Sequence, residues 1–305
     1  MKDLKYYLNK ALKEHFALGA FNFSNMESLQ AIARACNKSK SPAFIAVSEG
    51  ALSYMGEDYV LALANCAKKS GPYLFLHLDH GKSFEICKKA IDLGFDSVMI
   101  DGSALDFDEN VRLTKKVCDY AHSKGKLCEG ELGQIKGIED NISSENHHYT
   151  DPQNAKIFVQ KTNIDLLAIA IGTSHGAYKY SGEQTLRFDI LEEIEKLLPN
   201  FPLVLHGAST VDQDLITQIN KYGGKLESAN GIPKELLIKA IKYHNIVKIN
   251  TDTDLRLSVT SMVRKILKDH PAEFDPRKYL GPGRDKTEEI VQDKIANILF
   301  SGDKI

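Results

Sequence analysis

The chain has 305 residues, a length that fits one large α/β barrel or two ordinary domains of about 150 residues each. Its 39 Lys plus Arg against 41 Asp plus Glu leave a net charge of −2, which excludes the strong positive field that general binding of nucleic acid or an anionic membrane needs. Hydrophobic residues at 43% and charged residues at 26% supply a substantial core and exclude disorder over most of the length.

The opening segment MKDLKYYLNKALKEHF carries Asp3 and Glu14 and has neither an apolar h-region nor a small-residue cleavage site, so it is not a secretory signal. From there short apolar runs recur in order: GAFNF, AFIAVS, LFLHLD, SVMID, KLCEGEL, LLAIAIG, LVLHG and IVKIN. Between most of them lie segments with apolar residues at helical spacing, such as SLQAIARACNKS, SFEICKKAIDLG and ENVRLTKKVCDYAHSKG. Strand and helix alternating in this way, with strands apolar on both faces, predict parallel βαβ units. Eight of them predict a (β/α)8 TIM barrel as a single domain over 1–305. Gln134 to Pro152 is a long polar, non-periodic stretch, expected to be a lid or binding loop. From about Arg256 one long helix is expected, then a break at FDPRKYLGPGR, then a last amphipathic helix. No apolar run approaches the roughly 18 to 20 residues of a membrane span. The five cysteines lie apart with no C-x-x-C pair, which reads as a reduced, cytoplasmic chain with most thiols buried in helices.

Active sites of this fold lie at the carboxyl ends of the strands, and those ends are polar here. In order they carry Asn22, Ser48 and Glu49, Asp79 and His80, Asp101, Glu131, His175, His206, and Asn250. A structural barrel has no need of three histidines and several carboxylates on one rim. His80, His175 and His206 are each followed by glycine, which lets backbone approach closely and leaves room for a ligand. A catalytic zinc needs three nitrogen or oxygen ligands and an open fourth position, and these three imidazoles can supply the ligands. His77, inside the third strand, reads as a core imidazole supporting its neighbours. His15, His122, His244 and His270 fall on helices or their ends among charges and read as solvated. The adjacent pair His147 and His148 is poorly placed to aim at one metal. Small-residue loops at Gly172–Lys179, His206–Ser209 and Asn250–Asp254 follow the sixth, seventh and eighth strands, where backbone N–H groups commonly hold phosphate. Lys179 could add a charge there.

The motifs LDHG (78–81), ELG (131–133), GIED (137–140), GTSHG (172–176), LHGAS (205–209) and NTDTD (250–254), in that order, resemble the metal-dependent class II fructose-bisphosphate aldolases, in the branch that also contains the tagatose-bisphosphate aldolases. The resemblance runs from about Gly19 to Arg277. It implies a Zn2+ held by His80, His175 and His206, with Asp101 and Glu131 at a second or displaced metal position. It further implies Asp79 as the acid and base at the C4 oxygen, and Glu139 as a mobile-loop carboxylate moving a proton at the dihydroxyacetone phosphate carbon. Gly176, Gly207, Ala208, Ser209, Asn250, Thr251, Asp252 and Thr253 would hold that ketose phosphate. Ser48, Arg256 and Arg277 would lie near the aldehyde phosphate, Arg277 as a residue a neighbouring subunit can supply. A homodimer or homotetramer acting in glycolysis and gluconeogenesis, with no nucleic-acid or membrane partner, is implied as well.

The chemistry accounts for these residue types. Retro-aldol cleavage leaves negative charge on an enediolate, and without an imine-forming lysine a divalent Lewis acid must stabilise it. No lysine ends a predicted strand, and Lys248, inside the eighth, reads as structural. A carboxylate directly before a ligand, as Asp79 is, can sit within reach of the oxygen it serves; its plain structural alternative is a helix N-cap. After Met99–Asp101 the chain reads GSALDFDEN, and Gln134 and Lys136 fall in the lid, where relatives differ. Tagatose-cleaving relatives commonly carry a small residue where Asp252 stands, so fructose is the favoured sugar. The rival readings are a tagatose-bisphosphate aldolase, a non-catalytic metal-binding barrel scaffold, and a metal-dependent hydrolase.

Overall fold

The computed structural model describes residues 2–71, 73–139, 142–144, 148–175, 185–227 and 229–305, with the side chains of 136–139, 142–144 and 175 left out. Eleven strands are present among them: β1 (Leu18–Asn22), β2 (Ala43–Ser48), β3 (Leu74–Gly81), β4 (Ser97–Ile100), β5 (Leu127–Leu132), β6 (Lys136–Glu139), β7 (Ile142–Ser144), β8 (Leu166–Ile169), β9 (Ser174–His175), β10 (Leu203–Leu205) and β11 (Ile246–Thr251). Eight close into a parallel barrel in the order β1-β11-β10-β8-β5-β4-β3-β2. Each coincides with one of the eight apolar runs, because helices cover the outer face and side chains fill the interior. No helix of the described residues is long and apolar enough to cross a membrane.

Outward-facing residues such as Ile45, Leu76, Leu78, Ile100, Leu167, Ile169, Leu205 and Ile249 pack with the surrounding helices into the main core. The lower interior is a separate apolar layer of Leu18, Ala20, Phe44, Phe75, Met99, Leu166 and Val204. It is closed from below by the helix Leu4–Glu14, whose Leu4, Tyr7, Leu8 and Ala11 join that layer. This helix begins at Asp3, whose side chain accepts the Tyr6 N–H at 2.8 Å.

Two departures from the sequence reading have physical causes. The stretch 134–152 is not without regular structure: β6 pairs antiparallel with β7 and parallel with β9, and Gln134 bridges to His148. Its polar, period-free sequence hid strands that pair only with one another on the rim. The C-terminal break falls earlier than FDPRKYLGPGR. One helix spans Thr253–Asp269 and the next Pro276–Lys294, with Asp275 as N-cap and Pro276 in the first turn. Pro282 lies inside that helix. Packing overrides its helix-breaking tendency: Gly283 lies against Val259, and Thr287 and Ser258 hydroxyls meet at 2.7 Å.

A candidate metal and phosphate site at the barrel mouth

Strand alternation sends every second residue inward, and the upper interior is built that way. His77 and Asp79 of β3, Glu129 and Glu131 of β5, and Lys248 and Asn250 of β11 are all buried. Two irregularities adjust the set. The pairing of β10 with β11 shifts between Leu203 and Val204, so that Lys248, not Val247, aligns with Val204. The pairing of β3 with β4 shifts between Leu78 and Gly81, where His80 has φ +49°. A left-handed histidine is strained, at a cost of order 1–3 kcal/mol. The extra residue re-aims the chain, so consecutive Asp79 and His80 both face the mouth.

Their contacts form one network. The Asp79 carboxylate accepts from Asn22 Nδ2 and Asn250 Nδ2, each at 2.8 Å. Burial pushes its carboxyl up, but His80 and His206 beside it, and then Lys248, outweigh this and hold it well below the usual carboxylate range. The N-cap alternative for Asp79 fails: the helix Phe84–Asp92 is capped by Ser83. His80 Nδ1 lies 3.0 Å from Asp101 Oδ2, and Asp101 also accepts from the Ser103 N–H and hydroxyl. His206 Nε2 lies 2.8 Å from Glu129 Oε1, and Glu129 takes Lys248 Nζ at 2.8 and 3.1 Å. Against burial, Lys248 and His206 hold the Glu129 carboxyl down at about 2.

These carboxylates fix the tautomers. His80 donates from Nδ1 and His206 from Nε2, which leaves His80 Nε2 and His206 Nδ1 as lone-pair nitrogens. Those two nitrogens face each other at 2.9 Å, and Asn250 Nδ2 lies 3.1 Å from His206 Nδ1. Ligand atoms of Asp79, His80 and His206 lie within 4.8 Å of one another, as do those of His80, Asp101 and Glu131. The donor set therefore fits a divalent metal. His77 lies beneath, with Nδ1 2.8 Å from the Ser97 hydroxyl and Nε2 3.7 Å from Glu129. Burial first, and then Lys248, holds its imidazole down at about 3. It is the supporting core imidazole its strand position suggested.

His175 ends β9, whose backbone pairs with Gly137, and Glu139 ends β6. Their side chains, and all of Gly176 and Lys179, lie outside the described residues. Gly207 has φ +59°, and a Cβ there would fall 2.6 Å from the Ser174 carbonyl. Glycine is thus required for the loop after β10 to approach β9. Ala208 and Ser209 follow, both buried. Ser48 caps the helix Glu49–Met55 by accepting the Ala51 N–H at 3.2 Å, and Glu49 accepts the Lys82 N–H at 2.6 Å. Thr251 ends β11 and Thr253 opens the next helix. Asp252 forms an ion pair with Arg256 at 2.6 Å. Arg277 instead pairs with Asp275 at 2.8 Å; with its side chain 88% exposed, it makes no contact with the rim among the described residues.

Sequence reading missed Glu129. The signal was present, since Glu129 and Glu131 are two apart on one strand and share a face. His244, expected to be solvated, is instead buried, held by Glu195 at 2.9 Å and stacked on Phe188. Cys36, Cys87, Cys118 and Cys128 are buried as expected, and Cys66 is exposed. An open cleft at the opposite end of the barrel, lined by Lys5, Leu74, Phe75, Asp96 and Leu127, contains none of the rim residues.

A closed parallel barrel whose carboxyl mouth gathers paired imidazoles and carboxylates with a donor set that fits a divalent metal defines the class of TIM-barrel proteins. The chain matches the family model "Fructose-bisphosphate aldolase class-II" over residues 2–304 and belongs to that family, whose members depend on a metal in general. Similar proteins include the fructose-bisphosphate aldolases of Treponema pallidum, 46% identical over 96% of this chain and 94% of that one, and of Thermus caldophilus, 47% identical over 94% of each. Among solved structures, the YdjI aldolase of Escherichia coli K12 superposes with a TM-score of 0.79 at 30% identity, covering 100% of this chain and 99% of that one.

Proposed function

We propose that the protein cleaves D-fructose 1,6-bisphosphate reversibly to dihydroxyacetone phosphate and D-glyceraldehyde 3-phosphate. The observation that carries this reading is the buried Asp79 carboxylate, oriented by two asparagine amides beside two imidazoles whose lone-pair nitrogens converge. We assign Zn2+ to His80, His175 and His206, with Asp101 and Glu131 as a second or displaced position. When bound, the ion supplies Lewis-acid stabilisation of the negative charge left on the ketose phosphate fragment.

The chain's own residues do the rest. Asp79, held ionised, takes the proton from the C4 hydroxyl as the C3–C4 bond breaks and returns it in the condensation direction. Its amide clamps fix the carboxylate orientation without competing for its charge. Glu139 delivers a proton to the dihydroxyacetone phosphate carbon. Backbone N–H groups at Gly176, Gly207, Ala208 and Ser209, with Asn250 to Thr253, hold one phosphate, and Lys179 adds a charge. Ser48 and Arg256 serve the other phosphate, together with an Arg277 supplied by a neighbouring subunit. Asp252, where tagatose-cleaving relatives commonly carry a small residue, can contact a substrate hydroxyl, and this favours fructose over tagatose as the sugar.

The test is triose phosphate formation from fructose 1,6-bisphosphate and, separately, tagatose 1,6-bisphosphate, each after chelation and again after zinc is restored. Fructose cleavage lost to the chelator and regained with zinc is expected. Faster cleavage of the tagatose sugar would reverse the substrate assignment, and no cleavage of either by zinc-loaded protein would refute the aldolase reading.

A further inference from the structure

Directly after the Gly207–Ser209 loop, Val211 has φ +51° and is buried. A β-branched residue in the left-handed region is a true outlier and needs surroundings that hold it there. Those surroundings are specific. The Val211 N–H donates to Asp254 Oδ1 at 2.7 Å, and the Thr210 N–H donates to Asp254 Oδ2 at 3.0 Å. Lys294, at the end of the helix Pro276–Lys294, reaches the same Oδ2 at 2.7 Å and the Thr210 hydroxyl at 3.1 Å. Both charged side chains are buried, at 1% and 6% exposure. From the other side Gly231 lies against the turn so closely that a Cβ would sit 2.2 Å from the Thr210 carbonyl carbon. The Ile232 N–H also donates to the Ser209 carbonyl at 3.2 Å.

Asp254 lies in the first turn of the helix Thr253–Asp269, directly after Asn250–Asp252, so one carboxylate joins the two loops after β10 and β11. We propose that Asp254 and Lys294 are positioning residues: they hold the strained Val211 turn, and through it the Gly207–Ser209 loop, in the shape that takes a phosphate of the substrate. This rests on the aldolase reading for the identity of that phosphate. Neither residue need touch substrate. A carboxylate that accepts two successive N–H groups fixes the peptide planes of the turn, and the ammonium holds that carboxylate aimed at them.

The test reads KM against kcat for fructose 1,6-bisphosphate. D254N is expected to raise KM tenfold or more with kcat within threefold of wild type, and K294M to raise KM severalfold. Glycine adopts the left-handed region freely, so in a V211G background D254N should change KM by less than threefold. A tenfold change in both backgrounds would overturn the proposal, as would a D254N that alters kcat alone. Hydrogen exchange on the wild-type protein decides the matter if D254N fails to fold. The Thr210 and Val211 amides should be protected about as well without ligand as the amides of β10, and free exchange there would overturn the clamp. A wild-type protein inactive on both sugars would refute the aldolase reading, and the exchange result would still decide whether the clamp exists.

Discussion

Lys248 is the place where the structural account is most exposed to refutation. It is fully buried, and its ammonium meets Glu129, also fully buried, which in turn meets His206. Replacing it in K248M keeps the volume and removes the charge. Breaking a buried pair from one side leaves an uncompensated ion and costs about 3–5 kcal/mol. The Glu129 carboxyl gives a similar figure: it is held at about 2 instead of the ordinary 4.5, a gap worth about 3–4 kcal/mol at about 1.4 kcal/mol per pH unit. Stability from a depressed carboxyl is present above pH 4.5 and is lost as pH falls through about 2. In K248M burial is opposed by His206 without the lysine, so the Glu129 pKa rises, and the variant loses stability as pH rises through that new value.

Urea titrations at pH 8 and pH 5 should therefore show K248M less stable than wild type by about 3 kcal/mol at pH 8, with a smaller deficit at pH 5. Adding E129Q removes the stranded charge and keeps an acceptor for His206 Nε2, so E129Q/K248M should recover most of the loss. A K248M deficit below about 1 kcal/mol, or a double variant no more stable than the single, would refute the pairing argument. The same lysine offers a mechanistic check. Borohydride added with substrate should leave the wild-type enzyme active, and labelling of Lys248 would overturn its structural role.

Three further outcomes are expected. D79A should lower turnover by roughly 10²- to 10⁴-fold while the far-ultraviolet circular dichroism and bound zinc are retained, and unchanged turnover would remove Asp79 from the mechanism. H175A should lose zinc and activity together; full metal occupancy by elemental analysis would break that ligand assignment. His77 is held neutral down to about 3, whereas the unfolded chain takes its proton near 6.5. Its contribution is thus complete above pH 6.5 and falls towards pH 3, by about 2 kcal/mol between 6.5 and 5. Urea midpoints of wild type and H77Q should converge over that interval, and parallel midpoints would contradict the assignment.

The barrel was legible because its signal is local: eight apolar runs alternate with amphipathic segments, and polar residues end the runs. The rim residues were legible for the same reason, since a strand end is readable from where its apolar run stops. What was illegible depends on distant partners. Glu129 and Lys248 are 119 residues apart, and nothing near either one announces the other. The left-handed His80 that turns two consecutive residues into the site follows from a register shift against β4, which strand patterning cannot show. His244 looks solvated in a segment of lysines, but Phe188 and Glu195, from another helix, cover it. Pro282 breaks helices by local rule, and the packing of Gly283 and Thr287 on Val259 and Ser258 of the preceding helix lies beyond that rule.

The distribution of charge along the barrel axis explains why a buried ion pair persists where an apolar pair of equal volume would often be as stable. Below lies the apolar layer of Leu18, Phe44, Phe75 and Val204. Above it comes a layer in which His77, Glu129 and Lys248 bond mainly to protein, with the Lys248 ammonium 5.5 Å from the Phe44 ring. Only the next layer, with Asp79, His80, His206 and Asn250, presents groups to the mouth. If the middle layer were apolar, His206 Nε2 would have no fixed acceptor, and the proton could move to Nδ1, the nitrogen that faces His80. Glu129 prevents this by accepting from Nε2, and Lys248 keeps Glu129 ionised so that it accepts rather than donates. The buried pair is thus better understood as a device that fixes one tautomer of one imidazole than as a source of stability.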